Sequence, residues 1–425
     1  MYNAEELNII MVGSVGTGKT SILAAMYEEF HKTFKQANLQ TWVDDTKTLR
    51  AIEECQATLK NLDARLTQKV TPTERRENPW RDKGFVFEIG SRGKKFMKLR
   101  FSDPSGEYFN PSATPEQKEY VKSQLNQCDA VVIPVDATAL MQKKTGKVSY
   151  GEIGFWHEEK NDSKRITQLL KDAYANVLSP RLVILAPVKC ETYMKTDREA
   201  NNLLHHIKLG YSELLDFLKS ESLIDKVSVV VTPVETIGNV TFAYHKTDEN
   251  NNTKFYYYKT PINNAPYSPQ NGDQVLRYIL LFLINVYLDK KRKFLEDEQE
   301  KLKQLEKQLF AKKEELEQAK SEFERNEKLV EDRIKTWWLF REIANLFDDR
   351  ETPYHQAKDK YRGTQKEVNE TTSQFNNSFY QIQATQEQIK AFNDALFRFA
   401  IECKNNHGFA ILQGHKWLEI PQPIL

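Results

Sequence analysis

The sequence of 425 residues has almost no net charge: 61 Lys and Arg stand against 60 Asp and Glu, a formal balance of +1. A basic nucleic-acid binder is therefore not expected. Cysteine is scarce too. Cys55, Cys128, Cys190 and Cys403 lie far apart and form no C-x-x-C pair, which argues against a cysteine zinc site and fits a reducing compartment. The adjacent His205 and His206 have no Cys or acid at ligand spacing, so they read as solvated helix residues. Long apolar runs are missing. The longest, YILLFLINVYL at 278–288, is interrupted by Asn285 and falls well short of the ~20 residues of a membrane span. The opening MYNAEELNIIMVG carries acids early and has no leader pattern. Together these absences predict a soluble cytoplasmic protein, long enough for two or three domains.

What is present is organised around short apolar runs. NIIMV (8–12) leads into GSVGTGKT and the helical SILAAMYEEFHKTF, with polar helical sequence continuing to about residue 66. TPTERRENPW (71–80) reads as a loop because of its prolines and charges. FVFEI (85–89) and KFMKLRF (95–101), joined by Gly-Ser-Arg-Gly, read as an antiparallel hairpin. Three buried strands are predicted at AVVIPVD (130–136), RLVILAPV (181–188) and VSVVVTPV (227–234), with a polar insertion at about 138–162 and an exposed hairpin, TFAYH to KFYYYK, around DENNN. Apolar runs separated by helices predict an α/β fold with a mostly parallel sheet.

The strongest chemical signal is Gly13-Ser14-Val15-Gly16-Thr17-Gly18-Lys19-Thr20, followed by Ser21. It fits G-x-x-x-x-G-K-[ST] between a strand and a helix, the context this phosphate-binding loop requires. The glycines let backbone N–H groups converge on phosphate oxygens at a helix N-terminus. Lys19 would neutralise the β- and γ-phosphates, and the Thr20 hydroxyl would ligate Mg2+. The second signal is DPSGEY, in which Asp103 ends the second hairpin strand. There a carboxylate can hold a metal-bound water, and Gly106 can bring its backbone N–H against a γ-phosphate. Asp followed by Gly is also ordinary turn chemistry; its weight comes from following an antiparallel hairpin downstream of the loop.

On these residues the chain resembles the translation-factor-related (TRAFAC) P-loop GTPases of the Ras and Era-like kind, especially bacterial members with appended helical modules. The resemblance covers about residues 7–288. It implies GTP and GDP as ligands, Mg2+ as cofactor, and a switch-one Thr that closes over the metal, for which Thr73 is the choice and Thr71 the neighbour. It also implies an Asn/Thr-Lys-x-Asp base motif after RLVILAP. What stands there is Val188-Lys189-Cys190-Glu191: the Lys189 stem could cover the base, and Glu191 could accept from guanine as an Asp would, while the bracing Asn is missing. Family members often place Gln or His after Asp-x-x-Gly to orient water. Here Glu107 follows, and could accept the water's proton or repel the γ-phosphate. Arg75 and Arg76 could supply transition-state charge in cis or across a homodimer of G domains, or be solvated loop charges. Slow hydrolysis is expected.

Beyond residue 288 the pattern changes. Leu288, Leu295, Leu302, Leu309, Leu316, Phe323, Val330 and Trp337 repeat every seven residues, and Tyr354, Tyr361, Val368, Phe375, Ile382, Ile389 and Leu396 do so again. Two seams with a short break predict an antiparallel coiled-coil hairpin, on the order of 70–75 Å long at the helical rise. In its second seam, Leu305 and Ala319 fit while Lys312 and Asn326 do not. The break carries TWWLFREIANLF (336–347), whose Trp337, Trp338 and Phe340 either close the tip or contact a protein partner or membrane surface. The expected domains are 1–288 (GTPase), 289–403 (hairpin) and 404–425 (tail packing near the hairpin base). The expected function is a slowly hydrolysing GTP switch whose state is transmitted to the hairpin. A non-hydrolysing nucleotide-gated adaptor and a dynamin-like membrane-associated GTPase are the alternatives. An SMC-like ATPase is not expected, because no second ATPase lobe follows the hairpin.

Overall fold

The computed structural model describes residues 5–43, parts of 50–60, 85–91, 93–148, 151–249, 252–259, 266–339 and 352–419. It divides into two compact units, Met1–Tyr287 with Ala391–Leu425, and Leu288–Lys390.

In the first unit, β1 (Glu5–Met11) leads into α1 (Lys19–Gln36), followed by β2 (Gln40–Val43), β3 (Phe85–Ser91) and β4 (Lys94–Ser102). Then come α2 (Pro115–Gln127), β5 (Ala130–Asp136), α3 (Ala137–Met141), α4 (His157–Asn161), α5 (Ser163–Tyr174) and β6 (Arg181–Val188). Next are α6 (Asp197–Gly210), α7 (Ser212–Leu218), β7 (Val227–Val231), β8 (Val240–Thr247) and β9 (Thr253–Lys259). Two long helices, α8 (Gly272–Leu339) and α9 (Thr352–Ile401), precede β10 (Ala410–Gln413).

Eight strands form one sheet in the order β10-β7-β6-β5-β1-β4-β3-β2. Strands β4, β1, β5, β6 and β7 run parallel, whereas β2, β3 and β10 pair antiparallel at the flanks. Every residue of β5, β6 and β7 is buried, because helices cover both faces of a parallel sheet and alternation is lost. On one face Ile133, Leu185 and Val229 pack with Leu125 of α2, Leu170 of α5, Leu203 of α6 and Leu214 of α7. The start of α8, from Val275 to Leu288, is almost wholly buried as well, which explains the apolar run there. The polar insertion contains α3 and α4, and the aromatic insertion is a separate antiparallel pair, β8 with β9.

Two sequence readings need correction. Helix does not run unbroken from α1 toward residue 66: α1 stops at Gln36, and the described residues between 50 and 60 are helical again after β2. Asn38 takes a left-handed conformation (φ 57), and the Leu39 N–H returns to the Phe34 carbonyl at 3.0 Å, the closing bond of a Schellman turn. The released chain then pairs with β3 as β2. Nor is His206 solvated. It is fully buried on α6, its Nδ1 2.8 Å from the Asn202 carbonyl oxygen. Among the described residues no His, Cys, Asp or Glu group could hold a metal by itself.

In the second unit α8 and α9 pair with each other. Lys312 meets Glu367 and Glu322 meets Lys360, while Phe323 packs between Tyr354 and Tyr361; the crossed order of these contacts makes the helices antiparallel. Lys312 thus occupies a seam position with its charge answered from the partner helix. The facing positions on α9 are small, Ala357, Thr364, Thr371, Ser378 and Thr385, and the Thr371 hydroxyl donates back to the Glu367 carbonyl at 2.8 Å. Small residues along one seam keep the pair thin. Among the described residues, no helix is long and apolar enough to cross a membrane.

Candidate functional site

The C-terminal ends of the parallel strands gather the residues singled out from the sequence, as open α/β sheets do for their ligand sites. After β1, residues 12–18 form a loop that enters α1 through Gly18. Gly18 sits at φ 103 and offers no side-chain cap, so the first turn presents its amide dipoles outward, an arrangement that favours an anion. A side chain here would be strained by φ, and its Cβ would lie 3.1 Å from a Val188 methyl group.

The loop holds its own shape. The Thr17 hydroxyl donates to the Ser14 carbonyl at 2.8 Å. Lys19 is only 8% exposed; its ammonium donates to the carbonyls of Gly13 at 2.6 Å and Ser14 at 3.2 Å, and stands 5.6 Å from the centre of the Phe109 ring. Its charge is thereby placed inside the curl of the loop. Ser21, the next residue after Thr20, lies in the first turn of α1.

Two contacts tie the end of β4 to this loop. The Thr20 hydroxyl donates to Asp103 Oδ2 at 3.0 Å, and Asp103 is 2% exposed. A Cβ on Gly106 would fall 2.6 Å from the Val15 nitrogen and 2.8 Å from the Ser14 carbonyl carbon. No other residue would permit that approach. Glu107 follows in a short 3-10 turn, Gly106–Phe109, and is half-buried. A hydroxyl and a carboxylate side by side are hard oxygen donors, the type Mg2+ takes, with water and phosphate oxygens completing its octahedron.

On the other flank, Lys189 has a left-handed backbone (φ 54). Its ammonium pairs with Asp136 Oδ2 and donates to the Gly16 carbonyl at 3.1 Å, so this residue bridges the β6 end to the first loop. The carboxylate of Glu191 is buried and accepts from the Ile237 N–H at 3.3 Å, which directs it toward the loop after β7. Burial pushes the Glu191 carboxyl up to about 7, against backbone hydrogen bonds that lower it.

Thr71, Thr73, Arg75, Arg76 and Phe340 lie outside the described residues, as do the side chains of Trp337 and Trp338.

Sequence reasoning missed two acids. Asp136 ends β5 and accepts from the Ala139 N–H at 3.0 Å; its position at the end of a parallel strand was a visible signal. Asp162 takes a left-handed conformation at the start of α5. Burial raises its carboxyl above the ordinary range, while Arg165 and Ser14 oppose the rise. Nothing local in the sequence marked that acid.

Comparison with known proteins adds a family and two distant folds. The sequence model of the Double-GTPase 2 family matches residues 8–224. No curated protein matches the chain. Among solved structures, Sup35 complexed with GDP is 11% identical with a TM-score of 0.28, covering 56% of this chain and 38% of that one. The S. cerevisiae Ski7 GTPase-like domain bound to GTP is 15% identical with a TM-score of 0.31, covering 54% of this chain and 43% of that one. The chain thus spans less than half the length of either structure, and likeness at this level gives no residue-by-residue correspondence.

Proposed function

This chain belongs to the Double-GTPase 2 family, and from that premise we propose that it is a GTP-binding switch of slow turnover whose nucleotide state is passed to the α8–α9 helix pair. The observation that carries the reading is the junction of β4 with the first loop: Asp103 on the Thr20 hydroxyl and Gly106 against Val15. A γ-phosphate entering the curl of that loop would meet the Gly106 backbone, so the DPSGEY segment would sense whether the third phosphate is present.

In this reading residues 13–21 hold the phosphates through backbone N–H groups and the Lys19 ammonium. Thr20 and Asp103, with Thr73 as the choice from the sequence, would hold Mg2+, which supplies charge neutralisation between the β- and γ-phosphates. The Lys189 stem would cover the base. Glu191 would accept from the guanine ring N–H and amino group, a donor pair that adenine lacks. Glu107 stands where a neutral water-orienting group is usual, and a carboxylate there disfavours close approach to phosphate; turnover is accordingly slow.

The route outward runs along α1. At its C-terminal end the Gln36 carbonyl accepts from Arg398 at 2.9 Å, and the Gln36 side chain accepts from Arg277 at 2.9 Å. The first of these arginines is on α9 and the second on α8, so a shift of α1 is felt by both helices where they leave the sheet.

Calorimetry with Mg2+ and GTP, GDP or ATP, followed by single-turnover phosphate release, tests the reading. It expects micromolar or tighter guanine-nucleotide binding, weaker ATP binding and slow release of phosphate. Equal affinity for ATP would remove the guanine assignment. Undetectable hydrolysis would favour the nucleotide-gated adaptor, and absence of any nucleotide binding would overturn the whole.

A further inference from the structure

The base-side loop of this protein carries Val188 where a bracing Asn or Thr is expected, and a valine cannot donate or accept the missing hydrogen bond. Something else must hold the loop against the first one. We infer that Asp136, on the neighbouring strand β5, takes over that brace as a positioning residue for Lys189. The inference rests on the nucleotide-binding reading above.

The geometry is closed on every side. Asp136 is buried, and its two carboxylate oxygens are divided between two tasks. Oδ1 accepts from the Ala139 N–H at 3.0 Å and so caps α3, which fixes the carboxylate's orientation. Oδ2 pairs with the Lys189 ammonium, which also donates to the Gly16 carbonyl at 3.1 Å. The chain of contacts therefore runs from β5 through Lys189 to the first loop. Without the acid, the half-buried Lys189 ammonium would be held by a single neutral carbonyl and could leave it for water.

Asp136 is itself braced from behind. Asn161 Oδ1 accepts from the Asp136 N–H at 2.7 Å, and Asn161 Nδ2 lies 3.2 Å from the Asp136 carbonyl. Nδ2 also lies 3.0 Å from His157 Nδ1, and His157 Nε2 lies 3.1 Å from the Gly210 carbonyl. That pattern requires a neutral ring protonated on Nε2, and burial does lower the tendency of His157 to charge. Asn161 thus uses every hydrogen-bonding group it has. The insertion between β5 and α5, read from the sequence only as polar, supplies this backing. The Val188 side chain, meanwhile, lies against Gly18, where an added Cβ would fall 3.1 Å from one of its methyl groups.

The role makes a specific kinetic claim: the pair retards nucleotide release, and Asp136 does so only through Lys189. The test uses the full-length protein with Mg2+ and a fluorescent GDP, measuring release by stopped flow for wild type, Asp136→Asn, Lys189→Met and the double variant. Each single change should speed release by about tenfold, the equivalent of one charged hydrogen bond. The double variant should release no faster than Lys189→Met, the non-additivity of residues that act as a unit. Thermal unfolding of the nucleotide-free proteins checks that the fold survives. If Asp136→Asn does not fold, Asp136→Ser keeps a helix cap without the charge and replaces it in the cycle. Wild-type release rates in the Asp136 variant would overturn the inference. So would an equal acceleration in the Lys189→Met background, which would assign Asp136 to the α3 cap alone. A wild-type protein that retains no GDP would remove the nucleotide reading, and the brace with it.

Discussion

Gly106 stands against the backbone of Val15 so closely that a methyl group on it would lie 2.6 Å from the Val15 nitrogen. The two segments are 91 residues apart in number (106 − 15), yet neither can shift without the other. Gly106→Ala must therefore push the DPSGEY turn off the first loop. Overpacking of this kind costs about 1–3 kcal/mol, seen as a lower urea midpoint for the nucleotide-free protein. Affinity for GTP should fall at least as far, and calorimetry on the same samples would show it. A variant with wild-type stability and wild-type GTP affinity would mean that this contact is incidental.

Lys19 offers a cleaner separation of fold from function. Its ammonium donates to loop carbonyls and stands over the face of Phe109, at the mouth of the site and not in the sheet core, so Lys19→Ala should unfold within a few degrees of wild type. Nucleotide affinity should drop by roughly 100-fold or more, the usual loss for removing a preorganised charged donor from phosphate. Retained affinity would mean that the loop does not hold phosphate.

Glu191 predicts a pH dependence with a definite sign. Burial lifts its carboxyl from 4.5 to about 7 in the folded protein. A raised acid favours the protonated form in the fold, so its contribution to stability is greatest at low pH and is lost as pH rises from the unfolded value toward 7. In the proposed role Glu191 accepts from guanine only when ionised, which runs the other way: GTP affinity should strengthen as pH rises through about 7 and level off above it. Titrating GTP binding between pH 6 and 8, with Glu191→Gln as the flat control, checks this. ATP affinity should lack the same step. Glu191→Ala should weaken GTP more than ATP; equal losses would leave Glu191 a brace for the loop at Ile237.

How far the sequence disclosed this site depends on the range of each interaction. The 13–20 loop was legible because its determinants are local: an apolar strand, glycines at fixed offsets, a helix. Asp103 and Gly106 were legible by position after a strand end. The strand β2 was not, because four residues at a sheet edge, two polar and two apolar, are too few to carry a pattern of their own, and only Asn38 hinted that the helix had ended. Asp136 and Lys189 lay in plain view, but their pairing depends on β5 and β6 lying side by side in register, which no spacing reveals. His206 shows the opposite error. An adjacent pair of histidines looked polar and exposed, whereas the phase of α6 turns one ring inward, onto the Asn202 carbonyl.

The stretch 336–347 yields a prediction from sequence alone. Replacing Trp337 and Trp338 with Ser should leave GTP affinity unchanged and abolish capture of whatever the hairpin end contacts, since aromatic anchors dominate such interfaces. Liposome flotation and pull-downs, each with GTP and with GDP, distinguish lipid from protein. If wild type binds in neither assay and the variant merely melts earlier, these side chains only close the hairpin.

Strand β10 pairs with β7, although the whole of α8 and α9 lies between them in the chain. The ribosome must therefore finish both long helices before the sheet can be completed. At roughly 5–20 residues per second, the interval from Val231 to Gln413 lasts on the order of 10–40 s. Throughout that time the open flank of β7 is a row of unpaired backbone groups on an all-apolar strand apart from Ser228, the kind of edge that recruits other chains. Order of synthesis thus exposes the nascent domain to misassembly until the helical excursion returns.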